Sequence, residues 1–261
     1  MAKIALRLAA FGYLAALLAL PVASIFYRAF EHGVIGFWQA VAQPDAIHAL
    51  WLTLLIAGIA VPLNAVFGVI CAHVLVRSHL RWKRILGLLV DLPFAVSPVV
   101  VGLALVLLYG NQGWFGPWLA AHGIRVIFAL PGMVLATMFV SLPFVVREVV
   151  PVMRETGDEQ EQAAATLGAS PWQTFWKVTL PSIRWGVAYG VVLSAARAFG
   201  EYGAVSVVAG RLAGITQTLP LYVDERFESF DLTGAYAASV VLALLALATL
   251  FSMNALARKE A

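Results

Sequence analysis

The sequence predicts an all-α integral membrane protein, a single domain over residues 1–261 with six transmembrane helices. Three observations carry this expectation. Hydrophobic residues make up 62% of the chain and charged residues 12%. Soluble domains use roughly 25% charged residues, so the bilayer must be the solvent for most of this chain. Six apolar runs reach the roughly 20 residues that a helix needs to cross the hydrocarbon. None alternates as barrel strands do, and an open strand cannot satisfy its backbone in lipid.

The runs lie at about 8–27, 50–76, 85–109, 126–146, 186–209 and 235–256, judged against that crossing length. The first follows a basic start, Lys3 and Arg7. It is too long for the core of a signal peptide, and Pro21-Val22-Ala23 is a poor small-x-small cleavage site, so an uncleaved span is expected. Residues 28–49 lead into the second run, and Phe37, Trp38 and Trp51 there suit interfacial anchoring. The second run holds Pro62, the lone Cys71 and His73. One cysteine allows no internal disulfide, and His73 reads as a packed polar residue.

The third run contains Pro93, Pro98 and Asp91, the last expected at the interface and without a partner in its span. Residues 110–125 place Gly110, Gly113, Gly116 and Pro117 beside Trp114 and Trp118, a turn-rich connection. Pro131 and Pro143 mark the fourth run. Prolines inside spans remove helix hydrogen bonds and can seed kinks. The fifth run carries Arg197 and Glu201, four residues apart on one helix face. Thirteen residues from Arg184 at ~1.5 Å each place Arg197 about 20 Å into the span. An intramembrane charge costs roughly 2.5–3.5 kcal/mol on insertion scales, so the two are expected to pair. The pair reads as a structural strut or as part of a translocation path. Gly200 and Gly203 beside it permit close helix approach or mark a bend. Asp224, Glu225, Glu228 and Asp231 precede the sixth run, as a solvated face or a contact for a further protein.

Charge placement sets orientation. With both termini in the cytoplasm, twelve Lys and Arg residues lie inside: Lys3, Arg7, Arg77, Arg81, Lys83, Arg84, Arg147, Arg154, Lys177, Arg184, Arg258 and Lys259. Four lie outside: Arg28, Arg125, Arg211 and Arg226. Positive charge favours the inside, so residues 147–184 are expected to face the cytoplasm. Basic residues flank spans rather than forming one patch, which argues against a nucleic-acid partner.

That segment, 147–184, is the longest polar stretch. Thr156 and Glu159 have capping-box spacing, and acids at 158, 159 and 161 suit a helix start. Gln162-Ala163-Ala164-Ala165-Thr166-Leu167 favours helix, and Gly168 ends it. Ser170-Pro171-Trp172-Gln173 begins a second helix with a Ser cap and Pro in first position. Leu180-Pro181 is expected to stop it before the fifth span. The alanine face lets another protein approach closely, and the aromatics after Pro171 can pin the element to the spans.

The pattern of Ala163-Ala164, Gly168 and Leu180-Pro181 resembles the EAA loop of binding-protein-dependent ABC importer permeases. Residues 109–118, 143–153 and 195–210 further resemble the sulfate/thiosulfate importer permeases, and GAVSVVAG with Thr218-Leu219-Pro220-Leu221 is nearer their W-type subunit. The resemblance runs from about residue 10 onward and implies a type I (MetI-like) permease fold. It implies that the loop is a coupling helix docking a cytoplasmic ATPase, at Glu159, Gln162, Ala163, Ala164, Leu167, Gly168, Ala169, Pro171 and Trp172. It further implies a T-type permease partner, two ATPase subunits, an extracytoplasmic sulfate-binding protein, an inner-membrane location, and sulfate or thiosulfate as cargo. One departure stands: the family's Glu position falls on Gln162, while Glu161 lies one residue early on a different face.

The chain has no GxxxxGK[ST] phosphate loop, Cys/His metal cluster or nucleophile–base constellation. It is therefore expected to bind no cofactor and catalyse nothing itself, with ATP and Mg held by the partner ATPase. Permeases for molybdate or tungstate, an ATP-independent transporter and a membrane scaffold are the alternatives.

Overall fold

The computed structural model describes residues 2–260. The side chains of Lys3, Arg258 and Lys259, which enter the charge bias, lie outside the described residues. Among the described residues there is no strand.

Helix α1 comprises Ala2–Leu14, a π-helical turn at Ala15–Ala19, and Leu20–Ala29. Its apolar side chains, such as Phe11, Leu17 and Leu18, are largely exposed, as befits a lipid-facing helix. Helix α2 (Gly33–Val41) leads into α3 (Pro44–Arg77), the longest helix at 34 residues. Then follow α4 (Lys83–Ala95), α5 (Pro98–Tyr109), the short α6 (Gly116–Ala121) and α7 (Leu130–Thr156). The polar segment contains α8 (Glu159–Thr166) and α9, which joins Pro171–Thr174, a π turn Phe175–Thr179 and Leu180–Ser182. Helices α10 (Arg184–Phe199), α11 (Gly203–Val208), α12 (Leu219–Glu228) and α13 (Leu232–Glu260) complete the chain.

Helices occupy all six apolar runs. Four are long and apolar enough to cross a bilayer: Ala9–Ala29, Pro44–Arg77, Leu130–Thr156 and Leu232–Met253. The other two differ from the expected continuous spans. The run at 85–109 is α4 and α5, bent by 113° at a short break. Pro98 lacks a donor N–H and occupies the first position of α5, where a helix tolerates it. The run at 186–209 ends as α10 at Phe199 and resumes as α11 at Gly203.

The two breaks meet. A Cβ on Gly203 would lie 2.9 Å from Pro98 Cβ, and one on Gly102 would lie 2.7 Å from Val207 Cβ. Both glycines are required where α5 and α11 cross at backbone distance. Around this crossing sits the main core: Leu52, Ile56 and Ala60 of α3, Met133 and Val140 of α7, and Ala204, Val205 and Val208 of α11. One polar side chain ties α3 to α7. The buried Asn64 of α3 donates through Nδ2 to Met138 O (3.0 Å) and Ser141 Oγ (2.9 Å) of α7.

Candidate functional site: a capped elbow and a buried ion pair

The polar segment differs at its start from the sequence reading. Helix α7 continues to Thr156, ten residues past the expected end at 146, so Thr156 lies inside it and its hydroxyl donates to Val152 O at 2.8 Å. The expected Thr156 capping box is therefore absent. Gly157, at φ +70°, ends α7, and Asp158 occupies the cap of α8 without a side-chain cap bond.

The elbow that follows forms as expected. Gly168 adopts φ +83°, Ala169 N–H donates to Ala164 O at 3.0 Å, and Gly168 N–H to Ala165 O at 3.0 Å. This is the paired bonding of a glycine-ended helix. Ser170 then closes a capping box: its Oγ accepts from Gln173 N–H, and its own N–H donates to Gln173 Oε1 at 2.9 Å. Leu180-Pro181 does not stop the second helix. The π turn at Phe175–Thr179 widens the helix ahead of Pro181, and the chain turns at Ile183 instead.

The nine expected docking residues come together on this elbow. Glu159, Gln162, Ala163, Gly168 and Pro171 are exposed, while Ala164 and Ala169 are half-buried. Leu167 is 89% exposed and Trp172 70% exposed. Both are large apolar side chains presented on an otherwise polar element. Phe175 pins the elbow from below. It packs with Val69 and Ala72 of α3 and sets its ring edge-on to His73, centroids 6.3 Å apart.

Glu161, not among the nine expected docking residues, makes a long-range contact. Its Oε2 accepts from Arg77 Nε at 2.9 Å, and its Oε1 accepts from Thr179 Oγ1 at 2.8 Å. Arg77, the last residue of α3, also donates to Gly157 O. One guanidinium thus latches the start of α8 to the end of the longest helix. Both side chains are largely buried, 16% and 18% exposed, so water screens the pair little. Gln162, at the family's Glu position, is exposed, which leaves the charge to its neighbour facing inward.

Arg197 and Glu201 form the expected pair at the break between α10 and α11. Arg197 Nη2 lies 2.7 Å from Glu201 Oε2, with side-chain exposures of 31% and 1%. The approach is an ion pair rather than an aligned hydrogen bond, since Oε2 has no hydrogen-bond partner. Glu201 Oε1 accepts from Ala204 N–H at 2.9 Å, serving a donor of the first turn of α11. Gly200 therefore marks a bend, and Gly203 the close approach to α5. Beside the break, Tyr202 O–H donates to Asp224 Oδ2 at 2.7 Å, and Arg211 contacts the same oxygen at 3.2 Å. Asp91, without a partner in its own span, pairs with Arg147 of α7 at 3.1 Å. On α12, burial pushes the Tyr222 phenol up, while Arg226, 4.8 Å over its ring, acts the other way.

This arrangement defines a class: a multi-pass helical membrane protein with the permease fold of ABC importers. The fold matches a crystal structure of a bacterial alginate ABC transporter in complex with an alginate pentasaccharide-bound periplasmic protein, with a TM-score of 0.79. That match covers 98% of this chain and 94% of the other at 18% identity. The chain belongs to the binding-protein-dependent transport system inner membrane component family, whose model matches residues 64–261. It is 52% identical to the sulfate transport system permease protein CysW of Synechocystis, over 91% of this chain and 86% of that one. With CysT of Escherichia coli K12 it shares 39% identity, over 92% and 87%.

Proposed function

We infer that this chain is the W-type membrane subunit of an ATP-driven importer for sulfate or thiosulfate, forming half of the path. The 52% identity to a CysW protein, against 39% to a CysT protein, carries this reading. A homologous T-type subunit completes the path, two ATPase subunits bind ATP and Mg below, and an extracytoplasmic binding protein delivers the anion. The chain lies in the inner membrane with both termini and the elbow in the cytoplasm, following its Lys/Arg bias. It transports without a catalytic site of its own.

The elbow is the ATPase-docking element, because Leu167 and Trp172 project from it beside an alanine face. The latch from Glu161 to Arg77 carries its movement into α3, and so past Asn64 to α7. The pair at Arg197 and Glu201 fixes where the two broken helices meet, leaving Arg197 partly open to an approaching anion. Its neutralising carboxylate keeps that attraction weak enough for release.

Purification in mild detergent tests the assembly. Two different permease polypeptides and an ATPase should co-purify, and proteoliposomes should accumulate labelled sulfate on ATP addition. One permease polypeptide in the complex would favour a homodimeric permease for another oxyanion. Gly168→Trp should uncouple ATP turnover from uptake while the chain stays in the membrane. No atom lies within 4 Å of a Cβ there, so the added bulk meets no neighbour, while the left-handed backbone at φ +83° adds strain to the elbow itself. Normal binding-protein-stimulated turnover in that variant would remove the elbow from the docking surface.

A further inference from the structure

A second charged feature lies apart from the elbow and the ion pair. At the elbow end of the bundle, α4 and α7 enclose a groove of about 430 Å³. Four cations line it, Lys83, Arg84, Arg147 and Arg154, against one carboxylate, Asp91. Arg147 is already neutralised by Asp91 at 3.1 Å, and Lys83 Nζ donates to Ser78 O at 3.2 Å. The guanidinium groups of Arg84 and Arg154 have no hydrogen bond or ion pair among the described residues. The floor between the cations is apolar, including Val90 and Val150.

Beyond the groove, no described residue of this chain covers the outer face of α4. Ile85, Leu88, Leu89 and Leu92 are 58%, 72%, 58% and 42% exposed. Their i, i+3, i+4, i+7 spacing makes one stripe that starts at the cations. At ~1.5 Å per residue it extends about 13 Å from Lys83 to Leu92. Positive charge at one end, followed by a continuous apolar track, complements a molecule with an anionic head and a hydrocarbon tail. A free inorganic anion gains nothing from the apolar floor or the stripe. Basic pockets between membrane helices are recognised receptors for anionic lipid heads.

We propose that this groove binds the phosphate headgroup of an anionic phospholipid, with Arg84 and Arg154 as its principal contacts and the acyl chains along the α4 stripe. The site is independent of the transported substrate and requires only that the chain lie in a bilayer.

The test is lipid retention by native mass spectrometry after extraction from vesicles of equal phosphatidylglycerol and phosphatidylcholine. The wild-type importer should retain phosphatidylglycerol in preference. The double variant Arg84→Gln/Arg154→Gln should lose that preference by on the order of tenfold, with an unchanged unfolding temperature in pure phosphatidylcholine. Equal retention of the two lipids by the wild type would overturn the proposal and point to a protein surface over the stripe. An unchanged preference in the folded double variant would overturn it as well. Should that variant fail to fold, the wild type decides. Displacement of phosphatidylglycerol by sodium sulfate, but not by sodium chloride of equal ionic strength, would assign the cations to a free oxyanion. Loss on raising ionic strength with either salt is the expected result. None of these readings depends on transport, so they stand or fall apart from the assignment of sulfate.

Discussion

Two ion pairs of similar length do opposite jobs in this molecule. Arg197 and Glu201 lie four residues apart, 2.7 Å from each other, with the carboxylate buried and the guanidinium 31% exposed. Arg77 and Glu161 are 84 residues apart in sequence, 2.9 Å from each other, and share their burial almost equally. The first pair stays local to one broken helix and holds the break in shape. The second joins two segments distant in sequence, the start of α8 and the end of α3. A helix-local pair fixes the shape of one break, whereas a long-range pair fixes one segment against another.

The largest effect is expected at the first pair. Arg197→Ala strands the Glu201 carboxylate in the core, and losing one partner of a buried pair costs about 3–5 kcal/mol. Thermal unfolding in detergent should show it, together with loss of flux. Full flux and unchanged unfolding would strip the pair of both roles. The next effect belongs to the latch. Arg77→Ala removes charged hydrogen bonds worth about 2–3 kcal/mol, but the loss should stay local. Amides of residues 157–168 should exchange about 30- to 150-fold faster while the unfolding temperature barely moves. A global loss of stability instead would mean that the latch belongs to the core rather than to the elbow.

Glu201→Gln sharpens the contrast within the first pair. The amide oxygen can still accept from Ala204 N–H, and Arg197 keeps some solvent, so a cost of about 1 kcal/mol is expected. A cost equal to that of Arg197→Ala would show that the charge itself, not the buried orphan, is what matters. The smallest effect is expected at the exposed control, Asp91 and Arg147, at 49% and 59% exposure. Asp91→Ala should change stability by less than about 0.5 kcal/mol, read from the same unfolding curves. A larger change would argue that α4 is held by charge rather than by packing.

Much of the site was legible because its signals are short-range. The Ser170 box and the Gly168 turn need residues no more than five apart, and both form as their spacing predicts. Arg197 and Glu201 were legible for the same reason. Thr156 misled because a capping pattern is also compatible with a helix interior, and α7 gained more from continuing its packing on α3 and α10. Pro181 misled because a widened turn ahead of it kept the helix intact. Glu161 was visible as a charge on the wrong face, but its partner closes α3, and nothing near either residue names the other.

The sequence by itself determined the solvent, the helical class, the positions of the apolar runs, the Gly168 turn and the Ser170 cap. Each follows from composition or from contacts within a turn or two. Tertiary structure alone decided that two runs break, that Gly203 meets Pro98 where they do, and that Arg77 reaches Glu161. Hydropathy reports that a residue prefers lipid or protein to water, and it is indifferent to whether the helix carrying it is straight. Bends and long-range pairs are settled by which surfaces can approach closely once the helices are packed.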